Sequence, residues 1–133
     1  MTNNKPPLVE NLHKAWAGDV ELLVSLYTED CVFEDKAFGL EHHGHQGIRD
    51  VFAFSFTAMP DFTVVYGDYV IGSDHAAVEW RFTGSFQGEL EGIKYQGVPV
   101  TINGISFMTL RNGKIVRNCD YWNLVTFMEQ LKK

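Results

Sequence analysis

Two aspartates sit where a chain of this kind can do proton chemistry. Asp35 closes the β-prone run Cys31-Val32-Phe33-Glu34-Asp35 and opens into a loop holding His42, His43 and His45. Asp120 lies inside a second apolar run near the C-terminus. A carboxylate enclosed by apolar walls is penalised in its ionised form, which moves its pKa toward the range used in general acid–base catalysis. Each also has an ordinary reading, Asp35 as a turn or capping residue after a strand and Asp120 as a solvated or hydrogen-bonded residue near a strand end. Period-2 alternation lets only one of Glu34 and Asp35 face any pocket. The histidines lack the i, i+4 spacing and carboxylate partner of a specific metal site, so no metal is expected and the loop reads as a polar cover over a pocket mouth. Cys31 and Cys119 are far apart with no CxxC spacing and read as reduced core thiols. With no phosphate loop, dinucleotide fingerprint or Gly-x-Ser-x-Gly elbow in the sequence, no cofactor is expected and serine-hydrolase chemistry is disfavoured.

The elements that must position these groups are readable from periodicity. Pro6-Pro7 opens a helix carrying Leu8, Leu12, Ala15 and Trp16 up to Gly18, and Asp19 caps a second whose face is Leu22, Leu23, Leu26 and Tyr27. Ile48, Val51, Phe52 and Ser55 mark a third helix ending before Pro60. Strands are predicted over 62–72, 76–87, 98–111 and 114–123, with a longer connection at 88–97 and a tight turn at Asn112-Gly113. A short helix over 124–131 ends the chain. Helices followed by a meander predict a single α+β domain over 1–133, helices on one face of a curved, mainly antiparallel sheet that encloses a pocket.

Within 76–87, Val78, Trp80, Phe82 and Phe86 share one parity and should face inward. In 114–123 the even side holds Asn118, Asp120 and Trp122, the odd side Arg117, Cys119 and Tyr121, and neither is clearly polar. The direction of Asp120 therefore stays open.

The chain has 133 residues, 11 of them basic and 17 acidic, for a net charge of -6. That balance, without a basic stripe, disfavours nucleic acid and anionic membranes as partners. Residues 1–7 form a polar tail with no apolar stretch behind a charged head, and no run approaches a membrane span, so a cytoplasmic location is expected. Ten Phe, five Tyr and three Trp exceed what so small a core requires, and pocket walls would use the surplus.

The order and spacing of these pieces resemble the NTF2-like superfamily of cystatin-like, cone-shaped α+β domains. Within it they resemble the SnoaL-like group of polyketide cyclases, ketosteroid isomerases and limonene epoxide hydrolases. The resemblance is carried by Ala17-Gly18-Asp19, the run from Leu26 to Asp35, Gly47-Ile48-Arg49, Gly113-Lys114-Ile115-Val116 and Asp120-Tyr121-Trp122-Asn123. It implies a small hydrophobic or aromatic ligand in a conical cavity, with Asp35 at the isomerase base and Asp120 at the water-activating aspartate of the epoxide hydrolase. Trp80, Phe82, Phe107, Tyr121, Trp122 and His42 would be walls. The isomerase's acidic oxyanion donor falls on Ser106 and its tyrosine near Asn11, while the hydrolase's Arg and second Asp fall on Trp80 and Phe82. Neither specialised reaction is therefore implied in its complete form. What the resemblance implies is Asp-based isomerase-, cyclase- or hydratase-type chemistry, or alternatively a non-catalytic ligand-binding or association module. It also implies a homodimer packed sheet to sheet.

Overall fold

The computed structural model describes residues 5–132, so the reading of Met1–Asn4 as part of a polar tail lies outside the described residues. The chain runs α1 (Pro7–Trp16), α2 (Val20–Ser25), β1 (Tyr27–Asp35), β2 (Leu40–His43), α3 (Gly44–Ala58), β3 (Thr63–Ile71), β4 (His75–Leu90), β5 (Ile93–Arg111), β6 (Lys114–Trp122) and α4 (Leu124–Leu131). The strands form one sheet in the order β2-β1-β6-β5-β4-β3. All its pairs are antiparallel except β1 with β6, which run parallel. This is the expected α+β arrangement, its sheet mainly antiparallel with one parallel pair. Among the described residues no helix is long and apolar enough to cross a membrane.

Local chemistry explains most of the boundaries. Pro6 precedes the first turn of α1, where a missing N–H costs nothing, and the Asp19 side chain accepts the Leu22 N–H at 3.0 Å to cap α2. Tyr27, expected on the face of α2, instead begins β1. The Ile115 N–H donates to the Leu26 carbonyl at 2.8 Å, which draws the chain onto β6 before another helical turn can form.

Two segments expected to be irregular are ordered. Residues 40–43 of the histidine loop form β2, antiparallel to β1, and His45 already lies in the first turn of α3. The 88–97 connection continues the ladder of β4 and β5 from Gly88↔Tyr95 to Leu90↔Ile93. It turns at Glu91-Gly92, both with positive φ (51° and 78°), the geometry that Asn112-Gly113 adopts between β5 and β6 (55° and 78°). Asn tolerates the left-handed region and announces its turn, whereas Glu gives no such signal.

Register shifts in β1, β3, β4 and β5 bend the sheet, and the helices cover its concave face. The core packs Leu12, Leu23, Ile48 and Val51 from the helices against Val78, Ile102, Met108 and Ile115 from the strands. Beyond the end of β6, the Gln130 side chain bonds both the N–H (2.7 Å) and the carbonyl (2.8 Å) of Thr101, extending the ladder with α4.

Candidate active site

The last two residues of the β1–β6 pairing are Asp35 and Asp120, which sit at one register position. Parallel neighbours of the same register present side chains on the same face, and the strands are about 4.8 Å apart. Both carboxylates line one cavity of about 310 Å³ between the sheet and the helices. In β6 the even-numbered side chains Asn118, Asp120 and Trp122 therefore face the concave side.

Asp35 is a turn residue and a cavity residue at once. Its Oδ1 accepts the N–H groups of Ala37 and Phe38, each at 3.0 Å, which reverses the chain toward β2. That turn lays Phe38 edge-on against Trp122, with ring centroids 5.2 Å apart. Burial raises the Asp35 pKa above the ordinary carboxylate value, partly offset by the two backbone donors and the Trp122 indole.

Asp120 is enclosed more deeply. Its Oδ1 accepts Ser106 Oγ at 2.5 Å and Asn118 Nδ2 at 2.8 Å, while Trp80 Nε1 donates to Ser106 Oγ at 2.8 Å. Burial pushes its pKa up to about 6; the Ser106 and Asn118 donors oppose that rise and the charge of Asp35 adds to it. Like charges this close do not ionise independently, so ionising one carboxyl disfavours ionising the other. Tyr27 and Tyr66 also line the cavity, and burial and the Asp120 charge hold both phenols above their usual range as neutral hydroxyls.

The rest of the wall is apolar and largely aromatic. Trp80 and Phe82 stack at 5.8 Å, Phe82 meets Trp122 edge-on at 6.3 Å, and Phe62 lies 5.4 Å from Phe82. His42 reaches the wall from β2 beside Phe33, and the exposed Leu40 and Phe54 mark where the cavity meets solvent. Asp35, Asp120 and Glu89 line the cavity, and no Lys or Arg does among the described residues.

The structure thus brings Asp35, Asp120, Trp80, Phe82, Trp122 and His42 to one cavity. It removes Phe107 and Tyr121 from the walls: both have the parity opposite to Ser106 and Asp120 and lie 44% and 48% exposed on the convex face. Residues the sequence did not flag are Tyr27, Tyr66 and Asn118, while Ser106, the position that the resemblance gives to the isomerase's acidic donor, lines the cavity as a hydroxyl. For Asn118 the signal was present, as it shares parity with Asp120 two residues on. Tyr27 was hidden by its assignment to a helix. The histidines separate: His42 faces the cavity, His43 pairs with Glu41 at 3.0 Å, and His45 Nε2 lies 2.9 Å from the Tyr27 carbonyl oxygen. Among the described residues no group of three or more His, Cys, Asp or Glu is placed to hold a metal ion.

On the convex face Glu34, the neighbour of Asp35, is buried under Arg117 (2.5 Å) and Lys36 (2.8 Å) and also accepts the Cys119 thiol at 3.3 Å. Arg117 and Lys36 hold its pKa down to about 2.

The family model for SnoaL-like polyketide cyclases matches residues 8–131. No curated protein matches the chain. Among solved structures, it is similar to a hypothetical protein with a ketosteroid isomerase-like fold from Catenulispora acidiphila, solved in complex with trimethylamine. The two are 21% identical over 97% of this chain and 95% of that one, with a TM-score of 0.82. It is also similar to the candidate polyketide cyclase IdmH from Streptomyces antibioticus, at 25% identity over 94% of this chain and 96% of that one, TM-score 0.78. A candidate SnoaL-like cyclase from Jannaschia matches at 18% identity over 98% and 97% of the two chains, TM-score 0.78.

Proposed function

The chain belongs to the SnoaL-like polyketide cyclase family, and on that premise we propose that it enolises a small, neutral, aromatic or hydrophobic carbonyl compound bound in its cavity. The observation that carries this reading is the side-by-side placement of Asp35 and Asp120 on a mostly apolar wall. Asp35, as carboxylate, takes a proton from the carbon next to the carbonyl. Asp120, as carboxylic acid, gives its proton to the carbonyl oxygen, so no full oxyanion forms in the apolar space. Delivery of the Asp35 proton to a conjugated carbon, with the enol hydroxyl proton returning to Asp120, completes an isomerisation; attack of the enol carbon on a second carbonyl of the same molecule closes a ring, the enol hydroxyl proton returning to Asp120 and the Asp35 proton passing to the new alkoxide. The neutral hydroxyls of Tyr27 and Tyr66 are further donors toward the oxygen. Three acidic side chains, Asp35, Asp120 and Glu89, with no Lys or Arg beside them among the described residues, select against acidic ligands, because an anion would add charge to a poorly solvated, acidic site.

The test is deuterium exchange at the carbon next to the carbonyl of neutral bicyclic aromatic ketones, followed by proton NMR. The wild type should bind and exchange them and should ignore the corresponding carboxylates. Asp35→Asn and Asp120→Asn should each lose about 100-fold or more of the exchange rate, the scale of general acid–base catalysis. Undiminished exchange in both variants would refute the assignment. Saturable binding by the wild type with no exchange would leave the non-catalytic ligand carrier as the function.

The convex face bears on partners. Val70, Ile105, Phe107 and Tyr121 are all exposed there, a patch of large apolar side chains on the side of the sheet away from the cavity. We read this face as the contact between two copies of the chain, each shielding the other's sheet.

A further inference from the structure

We propose that Trp80, Ser106 and Asn118 are positioning residues for Asp120, a one-way chain of donors that saturates Oδ1 and leaves Oδ2 as the oxygen that carries and delivers the proton. The inference deepens the proposed reaction and rests on that reading for its catalytic meaning, but its geometry is a property of the free protein.

The direction of each hydrogen bond follows from what the groups can do. An indole N–H donates and cannot accept, so Trp80 Nε1, 2.8 Å from Ser106 Oγ, must give its hydrogen to the serine. The serine hydroxyl has a single hydrogen. With one lone pair occupied by Trp80, it turns that hydrogen to Asp120 Oδ1 at 2.5 Å. The Asn118 amide nitrogen adds a second donor to the same oxygen at 2.8 Å. A proton placed on Oδ1 would have to displace one of these donors, whereas Oδ2 receives none among the described residues. The carboxylic acid is therefore polarised to a single oxygen before any ligand arrives.

The source of the chain is held by packing. Trp80, Gly104 and Trp122 are register partners across β4, β5 and β6, and the Trp80 ring lies over the bare Gly104 backbone. A Cβ at Gly104 would come within 2.4 Å of that ring. Glycine at this position seats the indole at the depth from which Nε1 reaches Ser106. The other titratable groups around Asp120 are Asp35 and Tyr27 of β1 and Tyr66 of β3, with His42 of β2 beside Asp35 and Glu89 of β4 also on the cavity wall. None of them donates to Oδ1 among the described residues.

The test follows the Asp120 carboxyl carbon by NMR across pH in the ligand-free protein, where the wild-type midpoint should lie near the value of about 6 set by its surroundings. Ser106→Ala removes a donor that favours the ionised form, so the midpoint should rise by about one pH unit. Ser106→Thr should keep the wild-type midpoint, and Ser106→Cys, a weaker donor of similar size, should fall between the two. Trp80→Phe keeps an aromatic ring over Gly104 but frees the serine hydrogen to rotate; it should raise the midpoint by less than Ser106→Ala does, and should add nothing in the Ser106→Ala background. Gly104→Ala should reproduce the Trp80→Phe shift with Trp80 still present. An unchanged midpoint in Ser106→Ala, or a Trp80→Phe shift of equal size with and without Ser106, would overturn the chain. Should Ser106→Ala not fold, the ordering of Thr, wild type and Cys carries the same decision. Because no substrate enters the measurement, lack of ketone exchange would sink the proposed reaction and leave this inference standing, and the reverse also holds.

Discussion

Replacing Asp120 by Asn should make the protein more stable at neutral pH while abolishing its acid–base function. The native pKa of about 6 lies about two units above the ordinary 3.8 because burial disfavours the charged form. At 1.36 kcal/mol per unit, ionising Asp120 in the folded state costs about 3 kcal/mol more than in the unfolded chain. The sign follows from proton counts. Between about pH 4 and pH 6 the native state binds more protons than the unfolded state, so this group's contribution to stability is greatest below pH 4 and is lost as pH rises through 6. Asn has no charge to bury, and its Oδ1 can still accept from both Ser106 and Asn118. The gain should reach up to about 3 kcal/mol above pH 6.5, roughly 10 °C in Tm for a domain of this size, and should vanish below pH 4. Urea unfolding of both proteins from pH 3.5 to 8 gives the two stability curves, which should converge at low pH and separate across the window. Parallel curves, or a variant less stable than wild type at pH 7.5, would refute the claim that the Asp120 carboxylate is desolvated inside the cavity.

Two further predictions concern the opposite face. Arg117→Ala strips the better partner from buried Glu34, and because Arg117 is half exposed and Lys36 remains, the variant should unfold at a modestly lower urea concentration than wild type at pH 7. Glu34 is held low in the native state, so that difference should fade as the pH drops toward 2 and the carboxylate is protonated in both proteins. Phe107→Asp places a charge in the exposed apolar patch away from the cavity. Light scattering should show the wild type as a dimer and the variant as a monomer with an intact circular-dichroism spectrum; a monomeric wild type would refute self-association through this face.

What the sequence disclosed was local. Asp19 as a helix cap, Asn112-Gly113 as a hairpin and the inward parity of Val78, Trp80, Phe82 and Phe86 each depend on neighbours within a few residues, and the structure shows all three. Period-2 reasoning failed in β6 because both sides of that strand carry apolar side chains. Trp122 faces the cavity and Tyr121 the exposed patch, and composition does not distinguish an inner wall from an outer one. Phe107 was misplaced for the same reason. Tyr27 was lost to the helix because its spacing from Leu23 fits a helical face, and only the bond between Ile115 and Leu26, nearly ninety residues apart in sequence, decides otherwise.

The pairing of the two aspartates is the least legible feature and the one on which the chemistry depends. A hairpin turn fixes register between antiparallel neighbours, but β1 and β6 are parallel and joined by no turn. Something else must select the register that sets Asp35 beside Asp120, since a slip of one residue would turn Glu34 into the cavity and Asp35 out of it. The ion pair on the outer face is suited to that task. Glu34 sits opposite Cys119 and is bound by Arg117 two residues earlier on β6 and by Lys36 two residues later, just past the end of its own strand. A slip would bury Glu34 without Arg117, an unpaired charge costing several kcal/mol, and would leave Arg117 facing the shorter Asp35 at best. Two adjacent acidic residues thus divide the work by face: Glu34, pinned near pKa 2, holds the strand in place, and Asp35, raised by burial, is delivered to its partner. The same chemical group is a structural anchor on one side of the sheet and a candidate catalyst on the other, and the difference is one residue of a two-residue period.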